Sequence, residues 1–156
     1  MATPSYTSTT SSSTPVAPGT STALLGGRFA DLALLALRVI AGLMLAQHGA
    51  QKLLGWFADP SRPPGGTAPL FSQMGLAGVL ELGGGLLVAL GLFTRPVAFV
   101  LAGLMAAAYF LAHLPQGFWP IMNRGELAAL YCFVFLLLAA LGPGRYSLDA
   151  ALRRRR

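Results

Sequence analysis

The chain has 156 residues, 54% hydrophobic and only 10% charged, with a formal net charge of +6. A soluble domain carries about a quarter of its residues as charged side chains. This balance, with a mean hydropathy of +0.63, therefore excludes an ordinary water-soluble domain and points to the lipid bilayer. The single cysteine, Cys132, excludes an intramolecular disulfide and any C-x-x-C relay or cluster motif, and it reads as a small apolar residue.

Residues 1–26, opening MATPSYTSTTSSSTPVAPGTST, are rich in Ser, Thr and Pro and hold too little apolar surface to bury, so a disordered tail is expected. A cleaved signal peptide is not expected there. The chain opens without a basic n-region, and Arg38 interrupts an apolar run that continues to full span length. Residues 27–149 read as one all-α membrane domain, a four-helix bundle with spans near 32–54, 74–93, 97–114 and 124–141. Each approaches the ~20 apolar residues that cross the hydrocarbon as a helix, and the two-residue alternation of a barrel is missing. Residues 150–156 form a basic tail.

Arg28, Arg95, Arg145 and Arg153–Arg156 gather on one side of these spans; Lys52, Arg62 and Arg124, offset by Asp59 and Glu126, fall on the other. The positive-inside rule then places both termini and the T-R-P turn at 94–96 in the cytoplasm, with loops 58–73 and 115–125 outside. The quartet Arg153–Arg156 would attract anionic lipid, at about 1 kcal/mol per basic residue. Little else in the chain supports binding to nucleic acid.

The polar residues inside the spans carry the functional signal, because an ionisable group at mid-span costs roughly 2.5–3.5 kcal/mol on insertion scales. On a helical wheel with Arg38 at zero, His48 falls about 80° and Lys52 about 40° to the same side. Gln47 and Gln51 point the other way. Arg38 and Lys52 also suit snorkelling to the two interfaces. His48 is too short for that and reads as an inward, hydrogen-bonded imidazole. In span two Glu81 is the lone charge, with Gly78 and Gly85 one turn to either side on its own face, leaving room for a neighbouring helix. The antiparallel sense of spans one and two brings these levels together and predicts a contact of Glu81 with Lys52 or His48.

Span three ends in Tyr109 and His113, and span four opens N-R-G-E, where Asn123 and Glu126 fit a capping box. Thr94, before Arg95 and Pro96, fits an N-cap with proline in the first turn. Trp56, Phe118 and Trp119 suit an interfacial aromatic belt. The expected intramembrane cluster is therefore Arg38, His48, Lys52, Glu81, His113 and Glu126. No H-E-x-x-H motif is present and no metal is expected. The run Gly83–Gly85 lacks the context of a phosphate loop.

Arg38, QHGAQKLLG (47–55), ELGGGLLVALGLFTRP (81–96), NRGE (123–126) and GPGRYSLD (142–149), in this order, resemble the DoxX family across residues 32–149. The matching positions are Arg38, His48, Gly49, Lys52, Glu81, Gly84, Gly91, Arg95, Glu126, Ser147 and Asp149. The resemblance implies a four-helix, multi-pass protein of the bacterial cytoplasmic membrane. It also implies a non-catalytic accessory subunit of a respiratory or thiol/quinone-linked redox system, with redox proteins as partners and quinone as the candidate cofactor. Ser147 and Asp149 would then serve structurally, as an interfacial N-cap or a salt bridge to Arg95. The same polar face also suits a pathway in a small transporter or channel, or a packing device in a scaffold.

Overall fold

The computed structural model describes residues 20–57 and 66–155, with side chains described from residue 27 onward. The tail residues 1–19, the loop charges Asp59 and Arg62, and Arg156 lie outside the described residues. The described chain is helical, with no strand: α1 (Thr20–Leu54), α2 (Gln73–Leu90), α3 (Thr94–Gln116), α4 (Pro120–Asn123), α5 (Glu126–Leu141) and α6 (Leu148–Arg154). Helix α1 thus begins inside the segment read from sequence as tail.

Three segments, Gly27–Leu54, Gln73–Leu90 and Thr94–Gln116, are long and apolar enough to cross a membrane. Helix α5 has 16 residues, which reach about 24 Å at 1.5 Å per residue. Large apolar side chains such as Phe99, Phe110, Leu130 and Phe133 lie exposed on the outside, as lipid rather than water would allow. Inside, Leu45, Val88, Leu101, Met105, Phe135 and Leu138 form the core.

Helix α1 packs along α2 and α3 packs along α5, while α1 and α5 touch at few points. The first pairing depends on glycine. A Cβ on Gly42 would lie 2.6 Å from the Gly85 carbonyl oxygen, and one on Gly85 would lie 2.5 Å from the Gly42 oxygen. Seven residues further along α1, a Cβ on Gly49 would lie 2.3 Å from the Leu82 nitrogen and 2.6 Å from the Gly78 oxygen. Two helices with matched seven-residue glycine spacing therefore cross backbone to backbone and antiparallel, at a distance that only small residues permit. Helix α2 is not regular throughout: Leu80–Gly84 forms a π-helical turn, as Tyr109–His113 does in α3.

Helix ends follow local chemistry, with two departures from expectation. Ser72 caps α2, its Oγ accepting from the Gly75 N–H at 3.0 Å, and Gly91 closes that helix at φ 72°. Thr94 is not an N-cap. Phe93 takes that position at φ 49°, and Thr94 begins the helix fully buried, its Oγ1 without a partner among the described residues. The capping box of Asn123 and Glu126 does not form either, because Arg124 turns the chain at φ 57° and Gly125 becomes the N-cap. Asn123 instead accepts from the Gly125 N–H at 2.8 Å and donates to the Gly117 carbonyl at 2.7 Å.

Substituting the crossing glycines should break the α1–α2 pairing. Gly49→Ala and Gly85→Ala are each expected to lower stability by about 2 kcal/mol or more, read as thermal unfolding in detergent. Gly103→Ala, whose Cβ meets nothing within 4 Å, is expected to be neutral or to stabilise by up to about 1 kcal/mol.

Candidate functional site

The close crossing sets Lys52, in the last turn of α1, beside Glu81 in the π-helical turn of α2. The Lys52 ammonium donates to both Glu81 carboxylate oxygens. The Glu81 side chain is 4% exposed and that of Lys52 is 18%, so the carboxylate is the member that depends on the pair. An isolated buried carboxylate would cost several kcal/mol; contact with the ammonium offsets much of this. Among the described residues this is the only salt bridge.

His113 ends the π-helical turn of α3 and is partly buried. Its Nδ1 lies 3.1 Å from the Asn123 carbonyl oxygen. A carbonyl only accepts, so this bond assigns the proton to Nδ1 and leaves the Nε2 lone pair available in the neutral ring. The buried Asn123, bonded to Gly117 and Gly125, holds that carbonyl in place.

Two cavities meet at these residues. One of about 620 Å³ lies between α2 and α3 and is lined by Met74, Ala77 and Leu104 together with Lys52, Glu81 and His113. The other, about 290 Å³, lies toward α5 and is lined by the same three polar residues with His48, Arg124 and Tyr131. Lys52, Glu81 and His113 thus stand between two chambers whose walls are otherwise mostly apolar. An ammonium that donates, a carboxylate that accepts, and an imidazole with one free nitrogen form a set able to hold a polar ring or relay a proton. Among the described residues no group of three or more His, Cys, Asp or Glu side chains converges as a metal would require.

The other expected members border this group or lie apart from it. His48 lines the smaller chamber, but its side chain is exposed and, among the described residues, makes no hydrogen bond. Glu126 is exposed on the first turn of α5, and Arg124 rather than Glu126 faces the chamber. Tyr131 went unnoticed in the sequence. It is 5% exposed, stacks on Phe135 at 5.6 Å, and its buried hydroxyl has no partner among the described residues. Its only signal there was a hydroxyl-bearing aromatic in the middle of an apolar helix.

Arg38 lies on the inward side of α1 but ten residues, about 15 Å of helix rise, from His48. At that end it is buried, donating to the Val88 carbonyl at 3.1 Å and the Tyr146 carbonyl at 2.7 Å. A Cβ on Gly91 would come within 1.9 Å of the guanidinium. Asp149 is close by, accepting from the Phe93 and Thr94 N–H groups at 3.0 and 3.1 Å, and so supplies the cap that Thr94 does not. Arg95 donates to the Leu141 carbonyl at 3.3 Å and forms no salt bridge with Asp149. Ser147 caps α6, accepting from the Ala150 N–H at 3.1 Å. This end is a latch that ties the C-terminal segment across the bundle.

The DoxX family profile matches residues 33–114. An uncharacterized protein of Haemophilus influenzae is 43% identical over 117 residues, covering 72% of this chain and 85% of that one. The inner membrane protein YqjF of Escherichia coli is 31% identical over 80% of this chain and 95% of its own length. An uncharacterized membrane protein of Mycobacterium tuberculosis is 34% identical over 76% of this chain and 80% of its own. No solved structure matches the chain significantly.

Two substitution sets test this geometry. Lys52→Met should destabilise by about 3–5 kcal/mol by stranding a buried carboxylate, and adding Glu81→Met should restore most of it, read by thermal unfolding as a double-mutant cycle. At the other end, Asp149→Ala should cost about 1–2 kcal/mol through the lost cap. Asp149→Asn, which keeps an acceptor, should cost less.

Proposed function

Because the chain belongs to the DoxX family, we propose that it is an accessory subunit of a respiratory or thiol/quinone-linked redox system, with a quinone-headgroup pocket at Lys52, Glu81 and His113. In this reading it crosses the bacterial cytoplasmic membrane four times, α5 being the fourth span, with both termini cytoplasmic. The arginines at 28, 95, 145 and 153–156 support that orientation, and the inner-membrane relative supports the compartment.

One observation carries the pocket: a buried ion pair and a tethered imidazole stand between two chiefly apolar chambers of about 620 and 290 Å³. Small-molecule sites combine apolar walls with a few convergent polar groups in this way. A bound quinone would supply the two-electron chemistry. The Lys52 ammonium would donate to a ring oxygen, drawing on the same protons that now hold Glu81. Glu81, released from full pairing, would hold or give up a proton beside that oxygen. The Nε2 of His113 would accept a hydroxyl proton, with the Asn123 carbonyl fixing the ring. Electron delivery then falls to a partner protein.

The test is solvent extraction and mass spectrometry of the detergent-purified protein, with titration of a tail-less benzoquinone against intrinsic tryptophan fluorescence. Co-purified quinone and saturable binding are expected, with affinity lowered about tenfold, or 1.4 kcal/mol, in Glu81→Gln and His113→Ala variants that keep the wild-type melting temperature. Protein that carries no quinone and binds none would overturn the reading.

A further inference from the structure

We infer that the groove between α1 and α5 receives the apolar tail of an amphiphile whose polar head lies at Lys52, Glu81 and Tyr131; the identity of that head as a quinone ring rests on the function proposed above. The first observation is a gap. Helices α1 and α2 are packed together and so are α3 and α5, yet α1 and α5 touch at few points. Between them runs an open groove of about 440 Å³, its lining almost wholly apolar, from Leu37, Ile40 and Met44 on α1 to Leu130, Tyr131 and Val134 on α5.

The second observation is adjacency. Leu127 and Tyr131 line both this groove and the 290 Å³ chamber, and that chamber shares Lys52, Glu81 and His113 with the larger cavity. An apolar groove thus adjoins the polar chamber that holds the ion pair, with Leu127 and Tyr131 as the wall they share. This is the polarity profile of a molecule with one long hydrocarbon tail and a hydrogen-bonding head.

The groove follows α1 from Ala36 to Met44, a rise of about 12 Å. A hydrocarbon chain laid along it ends beside the polar chamber, and that neighbouring polarity points to an amphiphile. The third observation is the Tyr131 hydroxyl, buried and, among the described residues, unpartnered, on the residue that groove and chamber share. Buried hydroxyls are ordinarily hydrogen-bonded. A head oxygen drawn up to the chamber gives this one an acceptor after a small rotation of the ring.

The experiment uses the full chain in phospholipid nanodiscs with a benzoquinone carrying a diazirine at the end of a decyl tail. After photolysis, peptide mass spectrometry is expected to find the label on residues 36–44 and 127–134, with yield reduced at least fivefold in Ile40→Trp, which fills the groove from an exposed position. Tyr131→Phe is expected to weaken binding of the tail-less ring about fivefold while leaving the melting temperature unchanged or raised. Label on Met74, Ala77 or Leu104 instead would overturn the groove as the tail site. So would equal labelling of the groove by a phospholipid with the same diazirine, which would make it an acyl-chain site. Either result leaves the headgroup pocket standing if the tail-less ring still binds; failure of that ring to bind removes the pocket itself.

Discussion

The rest of the structure hangs on how closely α1 and α2 can approach. Gly42 and Gly49 on one helix and Gly78 and Gly85 on the other remove the side chains that would keep two backbones apart. Contact of this kind replaces the hydrophobic effect, which gives no net attraction between apolar helices surrounded by lipid. The crossing also decides the electrostatics. A lysine and a glutamate on adjacent helices pair in a buried setting only if their backbones are near enough for the side chains to meet. Lys52 and Glu81 meet within one turn of the Gly49–Gly78 contact. The glycines and the charges are thus one device: the first makes the second affordable.

A bundle tied in two pairs leaves room where the pairs face each other. Packing within α1–α2 and within α3–α5 is continuous, and the seams between the pairs hold the cavities. The π-helical turns at Leu80–Gly84 and Tyr109–His113 contribute Glu81 and His113 to those seams from facing helices. An extra residue per turn leaves a local break in the i to i−4 ladder, and such turns recur at functional positions. Both lie at the level of the chambers. The cavities thus follow from where the helices pack and where they depart from regularity.

How much of this was readable in advance follows from what one sequence encodes. Hydropathy marked the apolar segments that became α1, α2 and α3, because span length is a property of the segment itself. The Lys52–Glu81 contact was legible too, since antiparallel neighbours joined by a loop must match in depth and Gly78 and Gly85 flagged the open face. A wheel, however, reports an angle about one axis and names no neighbour. It grouped Arg38 with His48 and Lys52, whereas the groups that bind Arg38 are carbonyls of Val88 and of Tyr146, 108 residues away. Thr94 lost its capping role to Asp149 for the same reason: a cap supplied from 55 residues further along the chain leaves no local trace. Tyr131 was hidden by its surroundings, since its apolar neighbours on α5 match the pattern of any buried helix.

The two polar ends of the bundle use opposite means of satisfying charge. At the Arg38 end the partners are backbone carbonyls, fixed by the fold, and the space is filled to the point where even a Cβ on Gly91 would collide. Backbone acceptors cannot be exchanged without moving helices, so such a group can only lock. At the Lys52 end the partners are side chains, bordered on both sides by open volume. A side-chain ion pair can give up one of its bonds to an incoming oxygen and recover it afterwards, at the cost of a rotamer change. Burial alone does not distinguish the two ends, since Arg38 is the more enclosed cation. Exchangeable side-chain partners next to open space do, and among the described residues Lys52 and Glu81 have them, with the imidazole of His113 alongside.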